Sequence, residues 1–194
     1  MRRSQSIKIL FFSIGKESSS VNYMHRRVIF ECSSFSFVGR WLETEYGRGV
    51  NVIISCLLHF LELHVVPLIE KAEITCIRLF CDSSSGQNKN YAALLALMDF
   101  PKRHQIDFKW FFPIRGHSFM PADRSFSFVS RRMKKKWLVL HPEEYDDILQ
   151  QVGNLFILGQ RLMVKDVKTA ADKVLQVRIQ IVDLSGITLL LSFN

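Results

Sequence analysis

Two stretches of this sequence share one order: a short apolar run, then a polar loop, then a segment with the spacing of a helix. Residues 74–81 form the first apolar run, which leads into Asp82 and a serine-rich loop. Residues 106–114 form the second, and the helical segment after it begins at Asp123. Buried strands appear as short apolar runs, and alternation with helices favours parallel strands joined by right-handed crossovers. The sequence therefore predicts an α/β layer with both aspartates near the carboxyl ends of strands.

Further strands and a buried helix precede these stretches. Residues 7–14 and 28–41 are rich in Phe, Ile and Val, and they predict two or three strands separated by the serine-rich runs GKESSS and CSSFS. Residues 50–72 have too few polar side chains for a surface helix, so they predict a largely buried one. We expect Pro67 to end or bend it, because proline lacks the N–H that a helix interior needs.

Capping and helix-breaking residues set the expected bounds of the later helices. Asn90 suits the N-cap of a helix that Pro101 should end. Proline and aspartate are favoured at helix N-termini, so we expect a basic helix from Pro121 through Lys136 and a short acidic helix from Pro142.

The pattern is weaker beyond Gly153. Residues 165–176 predict one more helix, and residues 177–193 predict a hairpin that turns near Ser185 and Gly186. The expected fold class is therefore α/β, with a mixed sheet flanked by helices.

Size and charge limit the possible partners. A chain of 194 residues suits a single domain. Its formal net charge of +8 favours partners that carry phosphate, such as DNA. No uncharged apolar run approaches the ~20 residues that span a bilayer, so we expect no membrane partner.

The cysteines predict neither a metal ribbon nor a disulfide framework. Cys32, Cys56, Cys76 and Cys81 include no C-x-x-C pair. Their apolar neighbours predict reduced, buried thiols in an intracellular protein.

Asp82 and Asp123 are the candidate metal ligands. Two-metal nucleases hold divalent ions about 3.5–4 Å apart with carboxylates, and Mg²⁺ needs only a few protein oxygens. Aspartates at strand ends suit such a site, with Mg²⁺ or Mn²⁺ as the cofactor. The structural alternative is that Asp82 begins a turn and Asp123 caps a helix.

The loop SSSGQNKN beside Asp82 is a candidate phosphate contact. Its backbone amides, with Asn88, Lys89 and Asn90, can face a nucleic-acid backbone. It lacks the G-K-[ST] ending of a P-loop, so no nucleotide cofactor is expected.

Three strings of the sequence resemble one known family. LFCDSSSGQNKNYAALL and FFPIRGHSFMPADRSF are similar to the paired D-x-x-x-G-Q-N-K-N and G-H-S-x-x-P-x-D-R-x-F motifs of a transposon-derived domain family of unknown function, widespread in insects and other animals. The upstream WLETEYGRGVNVIISCLLHFL is similar to a third segment of that family. The resemblance covers about residues 40–150.

This resemblance implies a DDE-type transposase with an RNase H-like fold and metal-assisted DNA cleavage and joining. By matching position, Asp82 would be the acid after the fourth strand, and His117 and Asp123 would belong to the loop and helix after the fifth. Gln87, Asn88 and Lys89 would flank the site. His117 alternatively hydrogen-bonds the turn, and the two interpretations stay open.

Three departures from the family pattern count against activity. The family carries an acid on its first strand, and nothing in residues 1–40 reproduces its D-x-x-x-N-L context; Glu31 is the nearest acid. Val52 stands where the family tends to have glutamate before its S-C-L run. Val129 and Ser130 stand where the family tends to have I-E. We therefore expect a degenerate copy, incomplete at the N-terminus, because losing one carboxylate removes both charge and geometry from a two-metal site.

A basic run follows the Asp123 motif, and it consists of Arg131, Arg132, Lys134, Lys135 and Lys136. Such a run can contact DNA or act as a nuclear address, so the nucleus is favoured over the cytoplasm. The alternative is a solvated helix face.

The predicted function is a remnant of a metal-dependent DNA transposase, with residues 1–153 as the degenerate RNase H-like domain and residues 154–194 as a poorly matched extension. The alternative is a DNA- or protein-binding module without chemistry on the same fold.

Overall fold

The computed structural model describes ten parts of the chain: residues 6–11, 15–18, 24–32, 35–42, 45–47, 49–71, 74–81, 86–112, 122–135 and 143–175. For residues 6–35, 122 and 175 only the backbone is described. Asp82, His117, Lys136 and the predicted hairpin at 177–193 lie outside these parts.

Within the described parts of the chain, seven strands form one mixed sheet. They are β1 Ser6–Phe11, β2 Gly15–Ser18, β3 Met24–Cys32, β4 Phe35–Leu42, β5 Cys76–Phe80, β6 Asp107–Phe111 and β7 Asn154–Ile157. The strand order is β6-β5-β1-β3-β4-β7, with β2 paired to β3 outside this path. Strand β3 is antiparallel to β1 and β4, whereas the pairs β1–β5, β5–β6 and β4–β7 are parallel. The carboxyl ends of β1, β4, β5, β6 and β7 therefore lie at one side of the sheet, here called the carboxyl edge.

Helices cover both faces of the sheet. They are α1 Val50–Phe60, α2 Val66–Glu70, α3 Tyr91–His104, α4 Ala122–Lys134, α5 Glu143–Gln150 and α6 Val167–Leu175. The larger core joins α1, α3 and α6 to one face, where Ile77 and Leu79 of β5 are buried. The smaller core joins α4 and α5 to the opposite face, where Phe80 packs. Side chains alternate between faces along a strand, so β5 serves both cores. The mixed α/β architecture predicted from the sequence is confirmed.

The buried helix does not break at Pro67. A π-helical turn, Leu61–Val65, separates α1 from α2, and Pro67 lies in the first turn of α2. Proline is tolerated in a first helical turn because the N–H there has no intrahelical partner. The wider π-helical turn before Pro67 accommodates a residue that cannot donate a backbone hydrogen bond. Val50–Glu70 as a whole is long and apolar enough to span a membrane, with mean hydropathy 2.1. Over half of its most apolar window, 56%, is buried inside the protein, as in a core helix.

The prediction that Pro101 ends α3 is wrong. The helix continues to His104 with Pro101 buried inside it, and Gln105 ends it in the left-handed conformation at φ 51°. Burial of Phe100 in the core and of Pro101 beside it offsets the missing hydrogen bond. The Pro101 carbonyl instead accepts from the N–H of Ile106 at 3.2 Å.

Two strands have no local signal in the sequence. Gly15–Ser18, expected to be a break, is strand β2 and pairs with β3 from Met24 to Arg27. Strand β7 pairs in parallel with β4, and Gly153 before it approaches the carbonyl of Ser36 so closely that a Cβ would lie 2.5 Å from that oxygen. Because β7 and α6 pack into the same cores, residues 154–175 belong to one structural unit with the preceding chain. Cys56, Cys76 and Cys81 are buried thiols, as predicted.

Candidate nucleic-acid interface

The carboxyl ends of β5 and β6 are joined directly before Asp82. The N–H of Cys81 donates to the carbonyl of Phe111 at 3.1 Å, and Trp110 Nε1 donates to Cys81 Sγ. These bonds fix the chain one residue before Asp82 at the carboxyl edge. Asp82 and His117 themselves lie outside the described parts, so their roles stay predictions.

The loop after Asp82 is anchored to the body of the protein. Asn88 is fully buried, and Lys89 Nζ lies 5.7 Å from the ring centroid of Phe112. Asn90 Oδ1 accepts from the N–H of Ala93 at 2.9 Å, which confirms the predicted N-cap. Contact of Gln87, Asn88 and Lys89 with a phosphate backbone remains a prediction, and in this conformation Asn88 has no exposed surface with which to make it.

One face of α4 forms a groove of about 520 Å³, here called the α4 groove. It is lined by Asp123, Arg124, Ser127, Ser130, Arg131 and Lys134. Most of these residues recur every three or four positions, which places them along one face of a helix. From Asp123 to Lys134 the helix rises about 16 Å, enough to follow about four or five nucleotides of one strand.

The α4 groove is cationic. Among the described lining residues, Arg124, Arg131 and Lys134 carry three positive charges and Asp123 carries one negative charge, which gives these side chains a formal charge of +2. The face of α4 turned to the core is apolar: Val129 is fully buried and packs with Ile148 and Leu149 of α5. This helix therefore presents its charges to solvent from a fixed position.

The basic run predicted as a DNA contact divides between two surfaces. Arg131 and Lys134 line the α4 groove. The Arg132 guanidinium instead lies 5.2 Å from the Phe128 ring centroid, in a cation–π contact, and Lys135 is exposed just after the helix. The structure thus brings Asp123, Arg131 and Lys134 together in one groove.

Sequence reasoning missed Arg124, Ser127 and Ser130 as groove residues. Counting in helical steps from Asp123 would have found Ser127, Ser130 and Arg131 on the same face. Ser130 matters most, because the family that the sequence resembles tends to carry glutamate at that position. A serine hydroxyl stands in the groove where a second carboxylate is expected.

The described side chains do not fit a divalent metal ion. No group of three or more His, Cys, Asp or Glu side chains gathers within the parts of the chain that the structure describes. Asp123 is accompanied by three cations, which repel a metal ion rather than hold it.

The other positions at which the family resemblance implies an acid carry no carboxylate either. Strand β1 runs beside β5 with Leu10 opposite Phe80, but its sequence SIKILF contains Lys8 as the one charged residue. Glu31 on β3 is the register partner of Leu10, one strand farther from β5. Val52 lies in the first turn of α1 and is 3% exposed.

A buried ion pair fixes α5, the neighbour of α4. Arg40 on β4 binds the Asp146 carboxylate through two contacts, Nε to Oδ1 at 2.6 Å and Nη2 to Oδ2 at 2.9 Å. Burial raises the pKa of Asp146, and the Arg40 guanidinium opposes that rise. Because α5 packs against α4, this pair helps to hold the α4 groove in place.

Comparison with solved structures finds weak similarity to the nuclease domain of human cytomegalovirus terminase. The Mn-soaked, inhibitor-bound domain is 9% identical with a TM-score of 0.30, covering 90% of this chain and 74% of that one. The domain alone is 10% identical, TM-score 0.28, covering 90% and 77%. The Mn-soaked domain is 12% identical, TM-score 0.33, covering 92% and 88%. Similarity at this level does not establish a shared fold. No protein-family model and no curated protein matches the chain.

Proposed function

We propose that the chain is a transposable-element-derived domain of RNase H-like architecture that binds DNA along the α4 groove and no longer cleaves it. The observation that carries the proposal is the α4 groove itself, where the described lining residues place three cations and one carboxylate on one helix face. Cations that neutralise phosphates supply most sequence-independent DNA affinity. A nuclear location would agree with this role.

The sheet order supports the ancestral part of the proposal. The family resemblance implies acids on the first strand, after the fourth and after the fifth. When the short β2 is left out of the count, the first, fourth and fifth strands of this chain are β1, β5 and β6. These three strands are adjacent and parallel in the sheet. Their carboxyl ends therefore meet at one edge, as a shared site requires.

The proposed loss of cleavage rests on the residues that occupy those positions. A two-metal site needs several carboxylates to neutralise and orient its ions. Here β1 carries no acid, Val52 is apolar, and Ser130 replaces the glutamate expected beside Asp123. The remaining candidates, Asp82 and Asp123, are too few to hold two ions by themselves.

DNA binding and cleavage are tested with the same protein preparations. We expect the wild-type chain to bind a labelled DNA duplex in fluorescence anisotropy, with affinity that falls as salt rises. Plasmid nicking in Mg²⁺ or Mn²⁺ should stay at the buffer level for wild type, Asp82→Ala and Asp123→Ala alike. Metal-dependent nicking by wild type that both variants abolish would show a working nuclease instead, and absence of DNA binding at low salt would remove the proposal.

A further inference from the structure

Ser127 lies at the centre of the α4 groove. Ser127 is exposed, and its backbone carbonyl accepts a hydrogen bond from Arg131 Nε at 3.3 Å. Arg124 precedes it by three residues and lines the same groove. The Ser127 hydroxyl thus stands between two arginines, one turn before it and one turn after it along the helix.

We propose that Ser127 is a phosphorylation site and that phosphoserine there closes the α4 groove to nucleic acid. This inference rests on the proposed DNA binding by that groove. The phosphate would bind the same basic side chains that are proposed to contact the DNA backbone.

The charge arithmetic favours such a switch. A phosphoserine carries about −1.5 to −2 charges at neutral pH. The described lining residues Arg124, Arg131, Lys134 and Asp123 have a formal charge of +2, so phosphorylation of Ser127 brings the charge of this set to about zero.

The neighbouring arginines are placed to hold the phosphate. Arg131 follows Ser127 at i+4, and an anion four residues before a cation is the favourable orientation in a helix. Its guanidinium already folds back to within hydrogen-bond distance of the Ser127 carbonyl, so a short side-chain movement reaches a phosphate on Oγ. Such charge-assisted bonds are the stronger class of hydrogen bond.

The covalent step requires ATP and a protein kinase acting on this chain. The γ-phosphoryl group passes from ATP to Ser127 Oγ, ADP leaves, and the hydroxyl proton is released. Arg124 supplies the positive charge three residues before the serine that a kinase with an acidic substrate cleft can recognise. Ser127 is exposed on the outer face of α4, and a local opening of this helix would present it to the kinase as an extended segment.

The first experiment tests modification. The full chain is incubated with ATP and a protein kinase selective for an arginine three residues before serine, and the phosphate is located by mass spectrometry. We expect phosphoserine at Ser127, and its loss when Arg124 is replaced in Arg124→Gln. A chain that takes up no phosphate at Ser127 overturns the modification.

The second experiment tests the switch by DNA anisotropy. Ser127→Glu is compared with Ser127→Gln, which matches it in size without the charge, and we expect about tenfold weaker binding for the glutamate variant. Ala170→Glu adds the same charge on α6, which packs on the other face of the sheet, and should bind within about twofold of wild type. Equal affinities of the two Ser127 variants would overturn the switch. The proposed DNA binding would still stand in that case if the wild-type chain binds the duplex. Absence of wild-type binding removes the proposed function and the switch with it.

Discussion

Removing two groove cations should change the salt dependence of DNA binding by a calculable amount. Arg131 and Lys134 both line the α4 groove and are exposed. Each phosphate contact contributes about −0.9 to the slope of log affinity against log salt. The double variant Arg131→Gln, Lys134→Gln should therefore have a slope shallower by about 1.8. Between about 50 and 200 mM salt, wild type should lose about tenfold more affinity than the variant does.

Fluorescence anisotropy with a labelled duplex measures these slopes directly. The matched control is Lys168→Gln, Lys173→Gln, which removes two exposed charges from α6. This helix contacts α1 and α3, on the face of the sheet opposite to α4. We expect the control to keep the wild-type slope to within about half a unit, because exposed charges farther than a Debye length are screened.

Equal slopes for the groove variant and wild type would show that Arg131 and Lys134 do not contact DNA phosphates. Equal changes in the groove variant and the control would also contradict this prediction, since they would show that net charge, not the α4 groove, sets the affinity. Circular dichroism of each variant checks that the helices are intact.

Three further predictions concern the framework of the site. Asp146→Ala leaves Arg40 buried and unpaired, so the free energy of unfolding in urea should fall by about 3–5 kcal/mol. Gly153→Ala places a Cβ against the Ser36 carbonyl and should lower the free energy of unfolding by about 1–3 kcal/mol. Burial lowers the pKa of His59, so its imidazole binds a proton more readily in the unfolded chain than in the folded one. The contribution of His59 to the free energy of unfolding should therefore be full above about pH 6.5 and should decline as the pH falls below that value.

Each of these predictions has a matched control. Asp147→Ala removes an exposed acid beside Asp146, and a loss equal to that of Asp146→Ala would contradict the role of the ion pair. Gly47→Ala should be nearly neutral, because no atom of the described residues lies within 4 Å of its Cβ position. His59→Phe keeps a ring against Phe156, 5.3 Å away, and should reduce the acid sensitivity; an unchanged pH profile would assign that sensitivity to other groups.

Elements with a local signal were predicted from the sequence. The apolar runs of β5 and β6 and the helices α4, α5 and α6 were all expected, with ends a few residues from those observed. Their periodicity and capping residues lie within the elements themselves, so neighbouring chain was not needed to recognise them.

Elements that depend on distant partners were not predicted. Strand β2, in a sequence typical of a turn, forms because its backbone pairs with β3, and β7 forms beside β4, more than a hundred residues away along the chain. Core burial likewise overrides the helix-breaking tendency of Pro101. Such tertiary effects leave no local pattern.

The candidate site was predicted in part. Asp123 and the basic residues after it were identified, but a linear charge run does not show that Arg131 faces the groove while Arg132 packs on Phe128. That division depends on which face of α4 is buried, and Val129 fixes it by packing into the core. The relation of Asp123 to Asp82 stays a prediction.

Hydrogen exchange with and without DNA tests DNA binding by the α4 groove most directly, because it shows which surface the nucleic acid covers. We expect added duplex to slow amide exchange chiefly in Ala122–Lys134, the segment that carries the α4 groove, and to leave Val167–Leu175 on the opposite face unchanged. Slowed exchange in α6 with none in α4, or no change anywhere at a DNA concentration that saturates binding, would contradict it.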